Sequence, residues 1–211
     1  MDVLECIKTR RSIRKFKDKP VEMEKLGVII DAGRHAPSAG NLQDWKFILV
    51  TEQPLRRKIA DACLQQFWIE SAPVIIVICA EHRKEERFYG DRGEKIYSIE
   101  NCSAAAENMF LAAHSQGLGC CWIAAFTDHM LRRALGIPED VRPTVVLPIG
   151  YPDEKPGAVS RLRLEDVTYI ENWGTRIRDV NAFLGYYSHK VEGAVKSAQT
   201  ALSKLAKHIK K

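Results

Sequence analysis

Seven residues after Pro73, Val74-Ile75-Ile76-Val77-Ile78-Cys79-Ala80, run without a charged or hydrogen-bonding side chain. Side chains alternate between the two faces of a strand, so a run this apolar must be covered on both faces. Helical patterns lie on either side of it in the sequence. Residues 22–35 place Leu26, Ile29, Ile30 and Gly33 on one face, and residues 54–66 place Ile59 and Ala62. Residues 95–116 step by three and four through Ile96, Ile99, Ser103, Ala106, Phe110 and Ala113, with Gly117 positioned to stop the helix. Further strands are expected at 45–51, 120–124 and 143–150, and further helices at the N-terminus, around Leu4 and Ile7, and at 128–135. This succession lacks the regular beat of a doubly wound sheet and predicts an α+β fold. Gly117-Leu118-Gly119 follows a helix rather than a strand, so no nicotinamide is expected in a Rossmann crevice. The charged stretch 81–93 reads as an exposed loop.

A chain of 211 residues suits one domain with an appendage. Its net charge of +5 is unevenly spread. Residues 176–211 hold 8 of the 32 basic and 2 of the 27 acidic side chains, which leaves the body with 24 and 25. A near-neutral body argues against nucleic-acid binding, and the absence of a long apolar run argues against a membrane span. The six cysteines have no metal-site spacing and are expected to be reduced and buried. Asp2 and Glu5 stand where a secretory leader would be basic and then apolar, so a cytoplasmic location is expected.

Chemistry concentrates near the N-terminus. Arg10-Arg11-Ser12-Ile13-Arg14 sets three guanidiniums and a hydroxyl within five residues. A guanidinium is always charged and can grip two oxygens at once, which suits a phosphorylated, polar ligand. Four motifs follow in order: Ala36-Pro37-Ser38-Ala39-Gly40-Asn41, Gln43-Asp44-Trp45-Lys46-Phe47, the stretch from Gly117 to Phe126, and Pro148-Ile149-Gly150-Tyr151-Pro152. Together, over residues 3–174, they resemble the FMN-dependent nitroreductase family.

The resemblance implies a mixed, mainly antiparallel sheet flanked by helices, an intertwined homodimer, and two FMN sites built from both chains. It implies that Arg10 and Arg11 contact the phosphate region and that Ser12 bonds ribityl or phosphate oxygens. Arg14 would sit at the N1–O2 edge, where a fixed cation stabilises the charge that reduction leaves and raises the flavin potential. An ion pair with Asp18 is the structural alternative for Arg14. Pro37, Ser38, Ala39 and Asn41 would reach the flavin of the partner subunit. Trp45 reads as core. The family's usual Pro between Gln43 and Trp45 is Asp44 here, which puts the local turn in question. Gln66 would face the pyrimidine edge. Ile123, Ala124 and Ala125 would line the N5 side through backbone N–H groups, and Arg161, with Arg163 as rival, would close on the phosphate.

No side chain is assigned to proton transfer. The implied reaction is ping-pong: NAD(P)H reduces FMN, and a nitroaromatic, quinone or similar acceptor then enters the same slot. A flavin-fragmenting or dehalogenating relative is the alternative enzyme, with 81–93 as its only candidate lid. A redox partner docked through a basic tail is the alternative outside catalysis. Residues 1–174 read as the FMN domain. Residues 175–211 read as a basic amphipathic helical extension, with Tyr187, Val191, Val195, Ala198, Leu202, Leu205 and Ile209 one turn apart.

Overall fold

A computed structural model describes residues 1–176. The predicted tail helix lies outside the described residues from 177 onward. The chain divides into two compact units, Met1–Pro156 and Gly157–Lys211.

In the first unit, helix α1 (Val3–Thr9) leads to α2 (Met23–Arg34) and a tight turn at Ala39–Asn41. Strand β1 (Trp45–Val50), helix α3 (Gln53–Ala62), the turn Phe67–Ser71 and strand β2 (Val74–Ala80) follow. Helix α4 (His82–Arg92) passes through a wide turn, Gly93–Tyr97, into α5 (Ser98–Ser115). Strand β3 (Gly119–Cys120), α6 (Asp128–Leu135) and β4 (Arg142–Gly150) complete the unit. The described part of the second unit holds one short helix, α7 (Leu164–Val167).

The strands form one sheet in the order β1-β2-β4-β3, with every neighbour antiparallel. Strand β2 is central and all seven of its residues are buried, as its composition demands. The pleat splits them between two cores. Val74, Ile76, Ile78 and Ala80 face Leu26 and Ile29 of α2 and Met109 and Phe110 of α5. Ile75, Val77 and Cys79 face Ile59 of α3 and Leu131 of α6. Each large side chain so buried contributes about 1.5–3 kcal/mol, which is why one strand can organise both layers. The architecture is the expected α+β sheet flanked by helices. All six cysteines are free and buried. Among the described residues no helix is long and apolar enough to cross a membrane.

Four expectations change. The segment 81–93 is not an exposed loop: most of it is α4, and its Glu85 is fully buried. The charge pattern hid this because the partner that receives Glu85, Asn101, lies on another helix. The helix expected over 54–66 ends at Ala62, since Leu64 (φ 56°) and Gln65 (φ 59°) turn left-handed. The strand expected over 120–124 joins the ladder only at Gly119–Cys120, with a single further bridge from Ile123 to Val146. The helix expected over 95–116 starts as the wide turn and becomes regular at Ser98.

Candidate functional site

The arginine segment docks on the free edge of β3. Ser12 bridges Cys120 in parallel, and the Ile13 N–H donates to the Cys120 carbonyl at 2.9 Å. Two further backbone N–H groups, of Arg14 and Lys15, donate to one carboxylate oxygen of Glu154, at 2.5 and 3.1 Å. Ile13, Phe16, Ala72 and Trp68 pack beneath. Gly119 makes this docking possible: a Cβ there would lie 2.8 Å from three carbons of Ile13. With its backbone fixed, the segment directs its side chains apart. Arg10 stacks over Phe110 at 4.7 Å and stands 3.4 Å from Glu107 of α5. Arg11 donates to the carbonyls of Lys8 and Arg10 and borders a cleft of 430 Å³ with His114, Pro152 and Lys155. Arg14 is exposed, and among the described residues it makes no ion pair, so the alternative with Asp18 is not formed.

Ala124 and Ala125 are exposed, and among the described residues their N–H groups donate to no carbonyl. Ile123 differs: it is buried and its N–H is committed to the Val146 carbonyl at 3.1 Å. It supports the segment rather than offering a donor. Gln66 is half-buried just before the turn Phe67–Ser71, with its amide on the Cys63 carbonyl at 3.0 Å, and that turn reaches the cluster under Ile13 through Trp68 and Ala72. Cys121 lies beneath: burial pushes its thiol up, opposed by the Arg14 charge and a hydrogen bond with Ser12. Burial and the charges of Arg10 and Arg11 push His114 down, and its Nε2 is 2.9 Å from Thr9 Oγ1. That contact ties α1 to α5. Arg161 is exposed in the second unit, whereas its rival Arg163 is paired with Asp166 at 2.9 and 3.0 Å and with Glu165 at 3.2 Å.

The 37–41 loop sits elsewhere. It precedes β1, whose Trp45 is buried and pairs with Ala80, so it lies at the opposite end of β2 from Val74 and Ile149, where the arginine segment docks. Three strand spacings and six residues separate the ends of β1 and β3 at the two corners, roughly 25 Å on the diagonal. Ser38 Oγ accepts the Gln43 N–H, the Ala39 N–H donates to Asn101 Oδ1, and Asn41 and Gln43 adopt left-handed φ values of 57° and 51°. Pro37 and Asn41 are exposed. The turn questioned at Asp44 is held from inside: Asp44 is fully buried, its carbonyl accepts the Glu81 N–H, and its carboxylate accepts from Asn101. Asn101 and Glu85 thus support the loop without having been singled out in the sequence. The available signal was a carboxamide in an otherwise small and apolar helix row.

Residues 7–73 and 64–151 match the model of the nitroreductase family. A protein of Methanothermobacter thermautotrophicus, provisionally named an NADH dehydrogenase/NAD(P)H nitroreductase, is 39% identical over 82% of this chain and 88% of its own length. The solved FMN-dependent nitroreductase of Clostridium difficile superposes with a TM-score of 0.70 at 32% identity, over 81% of this chain and 99% of that one. The NADPH:FMN oxidoreductase of Vibrio harveyi, solved with NAD+, gives 0.75 at 27% identity, over 97% and 91%.

Proposed function

The chain belongs to the nitroreductase family, and from that premise we propose that this NAD(P)H-dependent oxidoreductase works with FMN in a homodimer whose two sites each draw on both chains. The observation that carries the proposal is the donor set around the arginine segment: Arg14, exposed and without an acidic partner among the described residues, the Ser12 hydroxyl, and the Ala124 and Ala125 N–H groups, which among the described residues donate to no carbonyl. Such a set offers hydrogen-bond donors and positive charge, while the carboxylates beside it are already occupied, Glu154 by the Arg14 and Lys15 N–H groups and Glu107 by Arg10, which fits an anionic cofactor. Bound FMN supplies a two-electron relay at N5 between the nicotinamide and a nitroaromatic or quinone acceptor.

The chain's own residues then have distinct tasks. Arg14 offsets the negative charge that reduction leaves at the N1–O2 edge. Ser12 and Arg11 bind phosphate or ribityl oxygens, and Arg10 adds charge from behind while held by Glu107. Ala124 and Ala125 present N–H groups along the N5 side, and Gln66 faces the pyrimidine edge. Arg161, which among the described residues lacks the acidic pairing that occupies Arg163, is the better placed of the two to serve the phosphate. Pro37, Ser38, Ala39 and Asn41 serve the flavin of the other protomer; the roughly 25 Å between the two corners exceeds the width of one isoalloxazine ring and supports that exchange. Residues 1–174 form the catalytic domain and 175–211 a basic extension. The six free, buried cysteines suit a reducing, cytoplasmic setting.

The test is direct. Purified protein should be yellow or bind added FMN, sediment as a dimer, and lose its flavin absorbance on anaerobic mixing with NADH or NADPH. A folded, colourless protein that takes up no FMN would refute the proposal.

A further inference from the structure

Two carboxyl groups meet inside this protein, and among the described residues no cation is paired with either. Asp44 and Glu85 are both fully buried, and among the described residues neither forms an ion pair. Both accept from the same nitrogen, Asn101 Nδ2, at 2.7 and 2.9 Å. Their other oxygens, Asp44 Oδ2 and Glu85 Oε2, are buried without a hydrogen-bond partner. Two ionised carboxylates in this position would repel each other across one amide while each loses its hydration. A proton retained by one of them removes the repulsion and gives one orphan oxygen a donor of its own.

The cluster also holds a backbone. With both N–H bonds of its amide aimed at the carboxyls, Asn101 can turn only its oxygen toward the Ala39 N–H, which it meets at 3.0 Å. Helix α4 contacts the same loop at successive turns. Glu81, just before the helix, donates its N–H to the Asp44 carbonyl at 2.8 Å, Glu85 acts through Asn101, and Tyr89 Oη lies 2.5 Å from where a Cβ on Gly40 would be.

We propose that Asp44, Glu85 and Asn101 are positioning residues for the 37–41 loop, that the two carboxyls share one proton, and that its loss loosens the loop and weakens cofactor binding. The inference rests on the FMN reading above. The charges around the pair act in both directions. Lys84 on α4 favours ionisation of both carboxyls, while Glu81 opposes it at Asp44 and is itself paired with Lys46 of β1 at 2.9 Å. The Cys102 thiol of α5 faces Asp44 and is pushed up to about 12, mainly by burial. Burial raises both carboxyls, and the charge of Asp44 raises Glu85 further. The retained proton therefore belongs to the pair.

Two measurements test this on the full-length protein. Infrared spectroscopy of the protein without cofactor at neutral pH should show the carbonyl stretch of a buried carboxylic acid, absent from Asp44→Asn and Glu85→Gln. FMN titration across pH should show affinity falling toward tenfold per pH unit once the proton is lost, the slope for one linked proton. Glu85→Gln, which keeps the shape and removes the second charge, should flatten that profile. Missing acid absorption in the unaltered protein, a flat profile, or a Glu85→Gln profile that still falls would overturn the inference. Failure to bind FMN at every pH would instead sink the functional reading, and the infrared result would still decide whether the proton is there.

Discussion

The two corners of the sheet solve the same problem, placing a loop accurately, by different means. The arginine corner is fixed by main-chain bonds to β3 and by Glu154 gripping two backbone N–H groups, which leaves Arg14 exposed. The 37–41 corner is fixed by side chains buried behind it, with Asn101, Asp44 and Glu85 in one network. A corner held by backbone tolerates changes in its side chains without moving, so its chemistry can be altered separately from its geometry. A corner held by a buried polar network cannot, because each member left unpaired carries a desolvation penalty of about 1–3 kcal/mol.

The largest effect should come from breaking the backbone docking. Gly119→Val drives carbons into Ile13 and should cost more than the roughly 1–3 kcal/mol typical of overpacking, with loss of FMN binding; urea unfolding and a flavin titration check both. Arg14→Ala should leave the fold intact and weaken FMN by roughly 1.5–3 kcal/mol, the worth of a charged hydrogen bond, while lowering the flavin potential. Unchanged potential and affinity would remove Arg14 from the N1–O2 edge. At the other corner, Gly40→Ala combines a φ of 52° with a contact on Tyr89 Oη and should lose about 1 kcal/mol of stability; Tyr89→Phe in the same chain should recover the steric part.

Stability should also depend on pH at the second corner. Burial holds Asp44 and Glu85 above the ordinary carboxylate range, so the folded state keeps more protons than the unfolded one. Their contribution is complete below the unfolded values near pH 4 and declines as pH rises through the folded ones. Denaturation of Glu85→Gln should show less of that decline. The smallest effect is on thiols: burial pushes Cys63 and Cys79 up to about 12, so a thiol reagent should label the folded protein at neither until it unfolds.

Sequence alone was informative where a residue's role is local or periodic. The apolar run of β2 dictated a strand covered on both sides, because alternation of side chains leaves no other arrangement. The ordered motifs pointed to the family, and the clustered guanidiniums suggested a polar, anionic ligand through their chemistry, the role proposed for them above. What the sequence did not disclose depends on residues far apart in the chain meeting in space. Glu85 looks solvated in a run of charges, and only the fold brings it onto Asn101 of α5. Ile123 looks equivalent to Ala124 and Ala125 until its N–H meets the Val146 carbonyl. The separation of the two corners follows from strand order, which no local pattern encodes. Composition and periodicity settled which side chains had to leave water; only the tertiary fold decided which polar groups left with them, because a buried donor or acceptor is acceptable only where a partner from another element arrives.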